Sequence, residues 1–260
     1  MHPSFTPPRQ VGIGDAASFV GITPRAIRHY HEIGLLPEPE RGSDDRRRYG
    51  YKEMIRLLWI RKMADAGIAL DDIRDAFADK APAGADSGRL GLLSDLVIGR
   101  LEGLPEGSLR QADLDNLLVI ERTFGPLGAA VNATRYIALA THPGLREESD
   151  RVDAAEEALD DTIAVDDPRV AQVAAARHAF ELALNAVIDD SGLAESDEAL
   201  FDSWDALHPA SADEGDTGRG RESMSVMEAV GKMPYDWSPA RLRCIELVEE
   251  LAASESSASE

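Results

Sequence analysis

Near the start of the chain the apolar residues recur at helical spacing. Ile13, Ala16, Ala17 and Val20 fall at i, i+3, i+4 and i+7, one face of a short helix that Gly21 ends. Thr23-Pro24 predicts the start of a second helix, because threonine caps exposed N–H groups while proline gives up a donor that has no partner there. This helix runs to about Ile33 with Ala26, Ile27, Tyr30 and Ile33 inward, which leaves Arg25, Arg28, His29, His31 and Glu32 for solvent or a ligand. The next stretch, Glu40 to Tyr51, follows no helical period. Gly42-Ser43-Asp44-Asp45 predicts a turn between residues that pair as a small antiparallel hairpin. A third helix over Tyr51 to Ala66 buries Met54, Leu57, Leu58, Ile60 and Met63, and a fourth covers Leu70 to Phe77.

Beyond residue 80 the period stays helical. Glycine and proline mark linkers at 81–88 and 103–107, and Ser108 to Phe124 reads as a helix with Ser108 and Gln111 as a capping box and Leu114, Leu117 and Leu118 inward. Leu145, Val152, Leu159 and Ile163 repeat along an acidic segment, and Asp167-Pro168 starts a helix facing inward with Val170, Val173, Phe180, Leu184 and Val187. Residues 209–222 read as a mobile loop, and Ser238-Pro239 caps a last helix that ends near Leu251. The fold expected is mainly α: a winged helix-turn-helix with a small β-hairpin wing, then an all-helical acidic C-terminal domain. Its divisions are a disordered lead at 1–10, the winged module at 11–80, a linker with a short helix at 81–107, a helical domain at 108–252 for dimerisation and effector or partner binding, and a disordered tail at 253–260.

Charge changes the picture. The net formal charge of −21 is hostile to a polyanion, since phosphate binding runs on lysine and arginine displacing counterions. The total hides an asymmetry: residues 1–80 hold 13 basic and 12 acidic side chains, and everything after them carries a net −22. Within the first part, Arg25 to Lys62 contains 10 basic and 6 acidic residues, a local surplus where a DNA-facing surface is needed. Two modules with different partners follow from this split.

Four motifs then occur in order: Ile13-Gly14-Asp15-Ala16-Ala17, Gly21-Ile22-Thr23-Pro24-Arg25-Ala26-Ile27-Arg28-His29-Tyr30-His31-Glu32-Ile33-Gly34-Leu35-Leu36, Arg47-Arg48-Tyr49, and Ala66-Gly67-Ile68 with Leu70-Asp71-Asp72-Ile73. In spacing and content they resemble the N-terminal signature of the MerR family over residues 11–78. The resemblance implies that Arg25 and Arg28 approach base edges and phosphates, that Tyr30 packs near the backbone, that Arg47 and Tyr49 of the wing grip the sugar-phosphate strand, and that Arg61 adds a backbone contact. The DNA-facing set is Thr23, Arg25, Arg28, His29, Tyr30, Arg46, Arg47, Arg48, Tyr49, Lys52 and Arg61. Guanidinium forks suit phosphate or guanine bidentately, which agrees with that assignment.

By the same resemblance the protein is a homodimer that binds a near-palindromic site in double-stranded promoter DNA, bends and untwists it, and so lets RNA polymerase engage both promoter elements; a cytoplasmic location is expected from the single cysteine, Cys244, which can close no intrachain disulfide. The chain departs from the family pattern in three places. Asp45-Arg46 stands where the wing has glycine and an aromatic residue, His29 stands at the second ring position, and Gly99, Gly103, Pro105 and Gly107 interrupt the dimerisation helix. A modified dimer contact is therefore expected, with Ser108 to Phe124 as its candidate.

The remaining candidates each have a plainer reading. Trp204, Met224, Met227 and Trp237 line a cavity for a small-molecule effector or are simply core. The acidic helices are a solvated face or a surface for a protein partner. Cys244 is a small apolar residue or a lone thiol sensor, and a single cysteine excludes the multi-thiolate site of metal-sensing relatives. His29 and His31 read as surface or phosphate-adjacent groups, not ligands. No cofactor, metal, membrane span or catalytic motif is expected: HExxH, a nucleophile motif and a phosphate loop are all missing from the sequence.

Overall fold

The computed structural model describes residues 8–39, 41–42, 44–78, 89–207 and 226–258. Among them run α1 (Ile13–Val20), α2 (Pro24–Glu32), α3 (Tyr51–Asp65), α4 (Leu70–Ala78), α5 (Asp95–Leu101), α6 (Gln111–Thr141), α7 (Pro143–Glu157), α8 (Pro168–Asp190), α9 (Leu193–Leu207), α10 (Val226–Lys232) and α11 (Pro239–Ala258). No helix among the described residues is long and apolar enough to cross a membrane.

The start of the chain folds as its periodicity requires. Gly21 takes the left-handed conformation at φ 78° and returns its N–H to the Ala17 carbonyl, stopping α1. Two residues later the Thr23 hydroxyl accepts the Ala26 N–H at 3.1 Å and Pro24 opens α2. Ala16, Ala17, Phe19 and Val20 of α1, Ile27 and Tyr30 of α2 and seven residues of α3 are buried. They form one core, on which α1 packs against α2, α3 and α10, and α3 against α4.

The wing corrects the expectation of a hairpin. No strand forms among the described residues, and two isolated antiparallel bridges, Arg41 to Arg47 and Val11 to Tyr49, take its place. A tight turn joins the arms, with Gly42 donating to the Arg46 carbonyl at 2.9 Å and Asp45 at φ 58°. The Arg41–Arg47 pairing extends no further among the described residues, and on the other side of the same arm Tyr49 exchanges both backbone bonds with Val11, at 2.9 and 3.0 Å.

Two helix ends also differ from the sequence reading. The helix expected over Ser108 to Phe124 begins at Gln111, with the Asp113 carboxylate accepting the Arg110 N–H at 2.9 Å, and continues past Phe124 to Thr141 through a kink. Gly125 (φ 80°, ψ 178°) breaks the helical path and Pro126 restarts it. At the other end α11 runs on to Ala258, so residues 253–258 of the expected disordered tail are helical, and the Ser254 hydroxyl bonds the Leu251 carbonyl at 2.7 Å. Of the expected lead, Pro8 is placed, its carbonyl accepting the Tyr235 N–H at 2.9 Å; residues 1–7 and the 209–222 loop lie outside the described residues.

The chain divides into two compact units, residues 1–133 with 199–236, and residues 134–198 with 237–260. The first unit includes the start of α6, which docks along α3. The Trp59 Nε1–H donates to Asp115 at 2.6 Å, the Tyr51 hydroxyl to Asn116 at 3.1 Å, and Lys62 pairs with Glu121. In the second unit α8 packs on α11 and α7 around Leu159, Val170, Ala174, Ala240 and Cys244. Beside this apolar core Arg177 donates to Glu156 at 2.6 Å and to Asp153, and Glu181 receives Arg135 at 2.7 Å.

Candidate nucleic-acid interface

The cap at Thr23 fixes the register of α2 and hence which of its residues face out. Arg25, Arg28 and His29 are exposed while Ile27 and Tyr30 are buried. Arg25 and Arg28, one helical turn apart, share a face, and neither makes an ion pair among the described residues. His29 lies 3.6 Å from Glu32. Lys52 is exposed in the first turn of α3.

The wing cations are held by neighbouring acids. Arg47 grips Glu38 with two parallel bonds of 2.7 and 2.8 Å, Arg48 donates to Asp44 at 2.8 Å, and Arg41 donates to Asp45 at 3.3 Å. The Arg47 fork keeps the Glu38 carboxyl below the usual carboxylate range. Arg46 is the most open of the four, 83% exposed and 3.9 Å from Asp44. A carboxylate fork is the geometry a phosphate would present, so the Arg47 guanidinium is already arranged for two-oxygen recognition.

Tyr49, Tyr30 and Arg61 of the expected set are engaged with the fold itself, Tyr30 as its place on the inward stripe of α2 requires. Tyr49 is fully buried: the Val11 bridge turns its ring into the core, where its hydroxyl lies 3.0 Å from His31 Nε2. His31, expected outside, is itself buried, and its Nδ1 lies 3.0 Å from the Leu36 carbonyl. A carbonyl only accepts, so Nδ1 carries the hydrogen and, in the neutral ring, Nε2 accepts from the tyrosine. Burial pushes the Tyr49 hydroxyl up to about 12, which keeps it a neutral donor. Tyr30 is likewise core, at 8% exposure, with its hydroxyl raised first by burial and then by Asp65. Arg61 donates to the Val20 carbonyl and to Asp65 at 3.2 Å, under the turn between α1 and α2. Its guanidinium occupies the space that a Cβ on Gly21 would fill.

Trp204 belongs to the first unit and Trp237 to the second, Met224 is outside the described residues, and so is the side chain of Met227. Cys244 is buried, its thiol pushed up to about 11 by burial and by Glu156, which makes it a poor nucleophile. Among the described residues no group of three or more His, Cys, Asp or Glu is placed to hold a metal ion. Sequence reasoning passed over Glu38, whose role depends on a pairing nine residues away across the wing.

Comparison with known proteins bears on the same segment. The model of the MerR family regulatory protein matches residues 12–49. The mercuric resistance operon regulatory protein of Bacillus cereus is 38% identical over 61 residues, which are 24% of this chain and 46% of that protein. The HTH-type transcriptional activator TipA of Streptomyces coelicolor is 36% identical over 69 residues, 26% of this chain and 27% of its own length. The HTH-type transcriptional regulator HmrR of Sinorhizobium medicae is 30% identical over 79 residues, 29% of this chain and 54% of its own. The chain thus spans about half or less of the length of these relatives, and no solved structure matches it. The turn at Gly21, the Thr23-Pro24 cap and the outward arginines of α2 lie inside the matched segment, and the N-terminal domain of this chain is a MerR-family helix-turn-helix domain.

Proposed function

We propose that the protein is a DNA-binding transcription regulator that acts as a homodimer on a near-palindromic promoter site, distorts the duplex, engages RNA polymerase and takes a small molecule as its signal. The observation that carries this reading is the pair Arg25 and Arg28, exposed on one face of a capped second helix and free of ion pairs among the described residues, in the same unit as the guanidiniums of the wing. A second helix of this kind enters the major groove, where an arginine fork matches guanine O6 and N7. Thr23, His29, Lys52 and Arg46 to Arg48 supply the flanking phosphate contacts, while Tyr30, Tyr49 and Arg61 hold the frame that presents them. The names of the relatives, a resistance-operon regulator and a transcriptional activator, support regulation of transcription.

A second reading draws on the rest of the chain. The net −22 after residue 80, together with the exposed Val165 and Leu182 in the second unit, favours a protein partner instead of a small molecule.

The test is selection of genomic fragments bound by the purified protein, followed by titration of Arg28→Ala on the selected site. Loss of a base contact weakens the selected site by about 1 to 3 kcal/mol and relaxes preference at one position of each half-site. Equal weakening on every duplex removes Arg28 from base reading, and failure to retain any fragment at low salt overturns the proposal.

A further inference from the structure

The first unit contains a pocket of about 450 Å³ between α3, the 91–92 turn and the start of α6, in the size range of small-ligand sites. Its apolar walls are Leu58, Leu92 and Leu118, and three cations, Arg61, Lys62 and Arg122, share the lining with two carboxylates, Asp65 and Glu121. The acids are committed elsewhere. Glu121 pairs with Lys62 and accepts the Ser94 N–H at 2.8 Å, and Asp65 takes Arg61 at 3.2 Å. Arg122 has no carboxylate partner among the described residues. Its Nε–H donates to the Phe19 carbonyl, its Cζ lies 5.7 Å from the centre of the Phe19 ring, and the rest of its fork is unengaged among the described residues. Burial, and then the neighbouring Arg61, pull its pKa below the ordinary guanidinium value, the mark of a cation short of compensation.

We propose that this pocket binds a small organic monocarboxylate, the acid head taken by the fork of Arg122 and the apolar body lying against Leu58, Leu92 and Leu118. The charge count selects the class. Three cations against two acids leave one positive charge to neutralise, so a single carboxylate fits, while a multiply charged phosphate meets Asp65 and Glu121 as like charges. The site is coupled to the face of α2 through backbone. Arg122 and Arg61 hold the Phe19 and Val20 carbonyls, the last of α1 before the Gly21 turn, so a carboxylate that draws on Arg122 competes for the end of α1 and shifts the helix that follows. This coupling rests on the reading of α2 as the DNA-facing helix; the pocket itself does not.

The probes are 1-naphthoate, its neutral counterpart 1-naphthamide, and inorganic phosphate, titrated by calorimetry into the full chain without DNA. The expected result is saturable binding of naphthoate at or below about 1 mM, with naphthamide and phosphate each weaker by about tenfold or more. Equal affinity for naphthoate and naphthamide, preference for phosphate, or no saturable heat from any probe overturns the proposal on the unaltered chain. Arg122→Gln should weaken naphthoate about tenfold, Arg122→Lys should recover part of the loss, and Leu92→Trp should block binding by filling the pocket with every charge kept in place. Retention of naphthoate by both Arg122→Gln and Leu92→Trp places the ligand elsewhere and overturns the site. Naphthoate is then added to the protein on its selected duplex. A change in DNA affinity supports the coupling, and an unchanged affinity with the pocket filled refutes it, while failure to bind DNA at all leaves the calorimetric result standing.

Discussion

Gly21 does two jobs that no other residue can combine. Its φ of 78° turns the chain between α1 and α2, and its missing side chain leaves room for the Arg61 guanidinium that bonds the Val20 carbonyl. The first job was legible from the sequence, since a glycine after an apolar helical stripe is a helix stop; the second was not, because Arg61 arrives from 40 residues away. Gly21→Ala is therefore expected to cost about 1 to 2 kcal/mol from the left-handed conformation alone, with more from displacing Arg61. Urea unfolding followed by tryptophan fluorescence measures it, and a midpoint equal to that of the unaltered chain would show that the turn tolerates a Cβ. Tyr49 teaches the same limit from the other side. A tyrosine after arginines in a turn reads as a surface ring, yet its pairing with Val11 across the fold turns it inward to His31, and no local period carries that information.

Elements were readable where their ends are marked by side-chain chemistry, as at Thr23-Pro24 and Asp167-Pro168, where the helices begin as anticipated. Asp167 shows the chemistry directly: bonds from the Arg169 side chain and backbone hold its carboxyl down to about 2. Elements were misread where an end depends on partners, as at the wing, where isolated bridges stand in place of strands, and at α6, which survives Gly125 because Pro126 starts the helix again. The wing also carries an internal competitor for DNA. Glu38 occupies both donors of Arg47 that a phosphate would use, and its own charge repels the strand. Exchange of that carboxylate for a phosphate is close to even in bonds, so the repulsion decides the sign. Glu38→Gln is expected to tighten binding to every duplex by about three- to tenfold at low salt, with the difference shrinking as salt screens it. Gel-shift titration at two ionic strengths reads this, and a weaker complex would mean that Glu38 positions Arg47 for the backbone instead of restraining it.

At the scale of the molecule the charge asymmetry matters more than the boundary it suggested. The helix opening at Gln111, assigned by its linkers to a separate domain, joins the first unit through Asp115, Asn116 and Glu121, polar partners of α3 that an apolar period cannot reveal. The acidic remainder holds its own core and its own ionic centre, and this makes the two units separable by experiment. Arg177 is 12% exposed and Glu156 11%; burial pulls the guanidinium pKa down, but the bonds to Glu156 and Asp153 outweigh it and hold the group above its ordinary value. Truncating such a residue leaves the buried Glu156 with only its longer contact to Arg241 at 3.8 Å, a loss of about 3 kcal/mol. Arg177→Ala is thus expected to lower the stability of the second unit by that amount while the first keeps its fold, giving a calorimetric trace in which one transition moves to lower temperature and the other stays. If both transitions move together, the two units unfold as one cooperative body, and a signal bound in either would reach the other through shared stability.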